Sequence, residues 1–251
     1  MPTKIFVTGA NGRMGQRVIA CANEDPEIEV AGTLEIDQAI REHLQSWMTI
    51  IDFTIHTATP NLAEVAAELG CPMVIGTTGF TYKERDVILA ASKTIPIVMT
   101  PNMSVGVNLL FTLTQMVSSV LGEGYDVEII EKHHRHKKDS PSGTAAHLAE
   151  IIAKAKDKLD LDLIKYGRHG NHAERTADEI GVHSIRGGDF VGEHTVIFAG
   201  EGETVEITHK ANSRDIFAKG ALRAAKWAAN ASPGFYQMQD VLGLQVAQTS
   251  S

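Results

Sequence analysis

The sequence predicts an α/β protein of two domains: an open parallel sheet wound with helices, and a second α+β domain on a mixed or antiparallel sheet. Three observations carry this reading. Through roughly the first 100 residues, short continuous apolar runs alternate with helical patterns, as expected of strands covered on both faces. The first run passes directly into a glycine triplet and then a helix, the order in which a doubly wound sheet holds a phosphate. Beyond residue 104 the pattern changes to one long apolar helix and to strands in which apolar and polar side chains alternate. The expected division is residues 1–104 with 214–251 as a dinucleotide-binding domain, and 105–213 as a substrate-binding and oligomerisation domain.

Residues 4–8 form the first strand, and Gly9, Gly12 and Gly15 follow in the spacing G-x-x-G-x-x-G before a helix carrying Met14, Val18, Ile19 and Ala22. A glycine triplet alone often marks only a tight turn. The strand before it and the helix after it make this one Rossmann-like: Gly9 permits the turn, Gly12 lets backbone approach a pyrophosphate, and Gly15 lets the helix sit close on the sheet. A second strand over 28–34 ends at Glu35, about twenty residues beyond the glycines, where a carboxylate accepts from a ribose hydroxyl. Asp37 is its rival, and either could instead cap a helix expected over 38–47. No arginine follows Glu35 to hold a 2′-phosphate, since residue 36 is Ile, although Arg13 could reach one; NADH is therefore favoured over NADPH.

The apolar run 49–54, a helix over 61–69 stopped by Gly70, and a strand over 73–75 continue the winding. Gly76-Thr77-Thr78-Gly79 then lies at a strand's C-terminal end, where open α/β sheets take their ligands, and Thr81 with Glu84 makes a capping box for the next helix. A strand over 97–100 runs into Pro101, Asn102 and Met103. In the second domain a helix over 107–121 leads to a strand over 126–130, a helix after Thr144, and strands over 180–186, 193–198 and 204–209 joined by glycine turns. Val196, Phe198, Val205 and Ile207 are expected to leave apolar surface on a face that stays wet or meets another subunit. A helix over 215–230 follows, with Ala218, Ala221, Ala225 and Ala229 suited to close packing on the first domain.

The chemistry-bearing segment is 131–144, Glu-Lys-His-His-Arg-His-Lys-Lys-Asp-Ser-Pro-Ser-Gly-Thr. Crowded like charges disfavour one another's protonation, which suits groups that must give and take protons. Such a run is usually a solvated face. Here Ser140-Pro141-Ser142-Gly143-Thr144 follows it, a turn with N-cap residues opening a helix, so backbone N–H groups and the positive helix end point at whatever the cations hold. The pattern suits a small anion, carboxylate or phosphate, that must also receive a proton.

A formal net charge of −8 over 251 residues argues against a nucleic-acid partner held by phosphate neutralisation. Only Cys21 and Cys71 occur, without metal-ligand spacing, and the N-terminus enters a strand directly, which points to a reduced, cytoplasmic protein. No apolar run approaches the ~20 residues of a bilayer span, so no membrane partner is expected. His133, His134, His136 and Asp139 could be read as metal ligands, but the interleaved Lys and Arg would repel a divalent cation, and no metal is expected. His169, His172, His183, His194 and His209 are expected to be loop or sheet residues satisfied by hydrogen bonds.

Taken together, Gly9-Ala-Asn-Gly-Arg-Met-Gly15, Ile51-Asp-Phe-Thr54, Gly76-Thr-Thr-Gly-Phe80, Asn102-Met-Ser-Val-Gly-Val-Asn108, the segment 131–145 and Val191-Gly-Glu-His194 resemble the bacterial 4-hydroxy-tetrahydrodipicolinate reductase family, over nearly the whole chain. The segment 133–144 is specific to that family in a way the glycine loop is not. The resemblance implies a two-domain homotetramer that uses NADH or NADPH to reduce a small cyclic dicarboxylate on the route to diaminopimelate and lysine. It implies acid/base roles for His133 and Lys137, and substrate contacts from His134, Lys137, Gly143 and Thr144. Cofactor contacts are implied for Gly9, Ala10, Asn11, Gly12, Arg13, Met14, Glu35, Gly76, Thr77, Thr78, Thr100, Pro101, Asn102 and Met103. The segment between Leu34 and Thr49 is shorter than the family usually has. Two other classes explain the first domain alone. Another nicotinamide oxidoreductase working through a thioester would need a catalytic cysteine, which neither Cys21 nor Cys71 is placed to be. A non-catalytic dinucleotide sensor leaves the cationic helix start without a purpose.

Overall fold

The computed structural model describes residues 1–35, 40–157, 161–171 and 173–244; Ile36, Asp37, Gln38 and His172, and the end of the expected 214–251 segment, lie outside the described residues. The chain divides into two compact units, Met1–Val105 together with the described residues from Arg214 onward, and Gly106–Ser213.

The first unit begins with β1 (Thr3–Thr8), α1 (Arg13–Asn23), β2 (Ile28–Leu34), β3 (Thr49–Asp52), α2 (Thr59–Leu69), β4 (Met73–Ile75), α3 (Tyr82–Ala91) and β5 (Pro96–Met99). Successive side chains of a strand point to opposite faces, and both faces are covered here. Ile5, Val7, Ile51, Val74 and Val98 pack with α1 on one side, while Phe6, Ile50, Met73, Ile75 and Ile97 pack with α2 and α3 on the other. Continuous apolar runs are the sequence's record of this double burial, worth about 1.5–3 kcal/mol for each large side chain. Gly70 ends α2 with a positive φ of 71°, and the Thr81/Glu84 capping box opens α3 as expected.

Over its described residues, 40–47, the helix expected over 38–47 is not formed. Its described part holds only a short 3₁₀ turn, Ile40–Glu42, while Leu44 and Met48 enter the core beside α2 and the Cys71 thiol donates to the Gln45 carbonyl at 3.3 Å. A helix of this length is marginal by itself, and two core anchors outweigh it.

The second unit holds α4 (Val105–Leu121), β6 (Asp126–His133), α5 (Gly143–Ala155), β7 (Ile164–Tyr166), β8 (Ile180–Arg186), β9 (Gly192–Ala199) and β10 (Thr204–Ala211). Its sheet runs β10-β9-β6-β8-β7, with β6, β8 and β7 parallel and β9 and β10 antiparallel to their neighbours, a mixed sheet. Strand β6 extends three residues past the expected 126–130, through Glu131 to His133. Its buried positions are Val127, Ile129, Glu131 and His133, so the period-two alternation continues in polar residues. Val196 and Phe198 are fully buried beside Val127, Ile129 and Val182, with residues of α4 and α5 in the same cluster, contrary to the expectation that they leave open surface. Val205 and Ile207 are half-buried against the same cluster. The reason is that β9 lies between β10 and β6, and its even-numbered residues all point into the covered face.

Helix α4 with the turn after it makes a 20-residue stretch, 105–124, whose most apolar window has a mean hydropathy of 1.4; by length and composition alone it could cross a membrane, which the sequence reading did not expect. Val107, Leu110 and Phe111 of α4 belong to the core of the mixed sheet.

The chain then returns to the first unit through α6 (Asp215–Ala228), β11 (Gly234–Tyr236) and α7 (Met238–Leu242). Ala218, Ala221, Ala224, Ala225 and Ala228 of α6 pack with α1 and the sheet. Strand β11 completes the all-parallel order β11-β5-β4-β3-β1-β2. Neither β7, β11 nor α7 is long enough to show a period in sequence.

Candidate active site

In the first unit, Gly9 turns the chain at the end of β1 with a φ of 71°, and a Cβ there would stand 2.7 Å from the Phe53 carbonyl oxygen. Since β2 lies on one side of β1 and β3 on the other, this loop sits where the winding reverses. Gly12 is the N-cap of α1 and offers no side chain to it, so the first N–H groups of α1 remain for a ligand. Gly15 presses on the loop itself: a Cβ at this position would overlap the Gly9 carbonyl and Ala10. The Asn11 N–H donates to Glu35 Oε1 at 2.8 Å, which brings the candidate ribose acceptor to the glycine loop. Thr8, Leu34, Glu35, Thr54, Asn61 and Leu62 are among the residues lining a cavity of about 320 Å³. Arg13 is exposed, and Met14 packs against the core.

Asp52, unremarked in the sequence beyond its place in a matching segment, is fully buried and accepts from Thr8 Oγ1 at 2.8 Å, Thr54 Oγ1 at 2.6 Å, Thr59 Oγ1 at 2.7 Å and Thr77 Oγ1 at 2.9 Å. One carboxylate thus gathers the ends of β1 and β3, the start of α2 and the loop after β4. Gly76 lies against the Phe53 ring, Thr78 is exposed, and Thr100 is buried. Asn102 Oδ1 accepts from the Ser104 N–H at 2.9 Å. Pro101 is exposed at this turn, whereas the Met103 side chain belongs to the core.

A Gly15→Ala variant is expected to push the glycine loop off α1, costing about 1–2 kcal/mol of stability and raising the KM for NADH about tenfold. Urea unfolding and initial rates at varied NADH would show it; unchanged values in both would mean that the close approach is not needed.

In the second unit, His133 ends β6, 8% exposed, and its Nδ1–H donates to Glu131 Oε2 at 2.5 Å. Glu131, fully buried, also accepts from Arg186 Nη1 at 2.8 Å and Nη2 at 2.7 Å and from the Ser142 N–H at 3.0 Å. Burial would raise this carboxyl; the hydrogen bonds from His133, Arg186, Ser184 and Ser142 outweigh it and hold the group well below the usual carboxylate range. Lys137 Nζ lies 2.8 Å from Asp139 Oδ2, so the crowded cations expected from sequence include an acid set directly against this lysine. His134 and His136 rings are 6.3 Å apart, and His136 is exposed.

Ser142 caps α5, its Oγ accepting from the Ala145 N–H at 3.2 Å. Gly143 and Thr144 are the first two residues of α5, at its positive end. His194 Nε2 lies 3.0 Å from Ser142 Oγ, but Nδ1 of His194 has no hydrogen-bond partner among the described residues, so this histidine is only half satisfied. The same holds for Nδ1 of His209. Sequence reasoning placed Ser142 in the helix-start turn but missed the roles of Glu131 and Arg186 around His133, which no spacing marks. Burial disfavours the thiolate of both cysteines, pushing Cys71 up to about 11 and raising Cys21 as well.

Two family models match the chain, that for the N-terminus of dihydrodipicolinate reductase over residues 3–103 and that for its C-terminus over 106–242. A 4-hydroxy-tetrahydrodipicolinate reductase of Akkermansia muciniphila is 49% identical over 240 residues, covering 96% of this chain and 98% of that protein. One from Anaeromyxobacter dehalogenans is 44% identical over 266 residues, covering 97% and 98%. Among solved structures, the dipicolinate-bound dihydrodipicolinate reductase of Paenisporosarcina sp. TG-14 shares the fold with a TM-score of 0.73 at 20% identity, covering 96% of this chain and 99% of that one. The chain belongs to the dihydrodipicolinate reductase family.

Proposed function

We propose that this chain reduces 4-hydroxy-tetrahydrodipicolinate to tetrahydrodipicolinate, the first unit holding NADH or NADPH and the second holding the dicarboxylate and supplying its proton. The protein is an NAD(P)H-dependent oxidoreductase of diaminopimelate and lysine biosynthesis. The observation that carries the division of labour is the join of His133, Lys137 and the α5 start in a single hydrogen-bonded cluster.

The glycine loop fits a pyrophosphate, because Gly9 and Gly15 let the loop lie close against Phe53 and α1, and Gly12 places no side chain over the positive start of that helix. Glu35 accepts from a ribose hydroxyl, and Thr77, Thr78 and residues 100–103 line the nicotinamide end. When bound, the nicotinamide supplies hydride to C4 of the substrate ring after water is lost. His134 and Lys137 neutralise one carboxylate, and the N–H groups of Gly143 and Thr144 grip a carboxylate at the positive end of α5. Lys137 Nζ donates the proton that completes the reduction, with His133 as its partner. A thioester route has no support, since both thiols are buried and held protonated.

The cytoplasmic homotetramer implied by the resemblance belongs to this proposal. Ile185, Phe190 and Tyr166, exposed apolar side chains of the second unit, support it as contact surface.

The test couples the purified protein to freshly made dihydrodipicolinate synthase product and follows NADH and NADPH consumption separately. Turnover with either cofactor is expected, with NADH at least as effective. Silence with both would leave the sensor or another substrate.

A further inference from the structure

We propose that Glu131 is the positioning residue of this site: one buried carboxylate sets the ring of His133, the start of α5 and, through Arg186 and Asp139, the Lys137 side chain in register with one another. The proposal rests on the reading of His133, Lys137 and α5 given above, and adds a residue that works through others.

A carboxylate accepts and does not donate, so the His133 nitrogen at 2.5 Å from Glu131 carries a proton. In the neutral ring the basic nitrogen is then Nε2, and the ring cannot turn without breaking that bond. Space is kept in front of Nε2 by Gly192, where a Cβ would stand 3.0 Å from it. The other Glu131 oxygen accepts from the Ser142 N–H at 3.0 Å, one residue before the helix start at Gly143. Ser142 is fixed a second time by His194, 3.0 Å from its Oγ. Rotation of Ser142 would carry Gly143 and Thr144 with it.

Arg186 extends the arrangement. It binds both oxygens of Glu131 and donates from Nη2 to the Asp139 carbonyl at 2.8 Å, while the Asp139 carboxylate holds Lys137 Nζ at 2.8 Å. In the sheet, Glu131 stands opposite Ser184 of β8 and His194 of β9, so the carboxylate sits on the central strand between two polar residues, His194 buried and Ser184 exposed. A buried ion pair placed for stability alone would need neither the histidine nor the helix start in contact with it.

Glu131→Gln leaves Arg186 without its counter-charge, so Glu131→Gln/Arg186→Met, which removes both charges, is measured beside it. In the double variant, NADH KM is expected within about twofold of wild type, the KM for the dicarboxylate up about tenfold and kcat down about 100-fold. Histidine ¹³C and ¹⁵N NMR, with His133→Gln as the assignment control, is expected to show the Nδ1–H tautomer of His133 giving way to a mixture. A double variant with wild-type kcat, or one whose His133 keeps the Nδ1–H tautomer, overturns the proposal. An inactive His133→Ala/Lys137→Ala beside a fully active Glu131→Gln/Arg186→Met would remove this inference alone; a fully active His133→Ala/Lys137→Ala would remove the reading beneath it.

Discussion

Replacing His133 and Lys137 together by alanine is expected to lower kcat about 10³-fold while leaving NADH affinity within about twofold of wild type. The two residues act on one proton, so either single variant should be nearly as slow as the double and the effects should not add. Binding is spared because the glycine loop, Glu35 and the hydroxyl-fed Asp52 all belong to the first unit. The fold is spared too, since Glu131 keeps Arg186 and the Ser142 N–H when the histidine is gone. Stopped-flow reduction and a fluorescence titration with NADH separate the two readouts. A double variant that turns over within tenfold of wild type would remove both residues from the chemistry.

The fold was legible where local chemistry and tertiary packing agree. Strands β2, β4 and β8 lie where their apolar patterns put them, and Gly70 and the Thr81/Glu84 box stop and start helices as those residue types require. Prediction failed where tertiary contact overrode a local pattern. Residues 38–47 read as a helix, yet Leu44 within that stretch and Met48 just beyond it serve as core anchors of an irregular segment. The apolar pattern ends β6 at residue 130 because Glu131 and His133 are polar, although they occupy the buried positions of the same alternation. That error concealed the most informative part of the candidate site. His133 and Lys137 stand out in sequence as titratable groups in a cationic run, but the carboxylate that links them is separated from Arg186 by 55 positions, a pairing no spacing rule reveals. Asp52 was hidden in the same way, its four threonine partners lying between positions 8 and 77.

His194 is expected to make the protein lose stability on mild acidification, well before its carboxylates titrate. The imidazole is 4% exposed; burial first, and the charge of neighbouring His133 second, pull its pKa from 6.5 to about 3. Glu131 acts in the opposite sense, while His209 and Lys137 lower it further. The unfolded chain therefore takes up a proton near 6.5 that the folded chain refuses until about 3. Stability from this group is complete above the unfolded value and declines as pH falls below it, by up to about 1.4 kcal/mol per pH unit, or about 3 kcal/mol by pH 4. Glu131 occupies a different window. Its carboxyl is held below the ordinary 4.5, so its contribution is present above that value and disappears only as pH drops further. The loss between pH 6.5 and 4.5 thus belongs to His194, with a smaller share from His209, whose pKa burial also lowers. Urea unfolding of His194→Gln at several pH values should show a slope in this window flatter than wild type by about 1 kcal/mol per pH unit, because the glutamine cannot titrate but can still meet Ser142. An identical slope in the variant would mean that the acid sensitivity arises elsewhere and that the folded chain accommodates a charged His194.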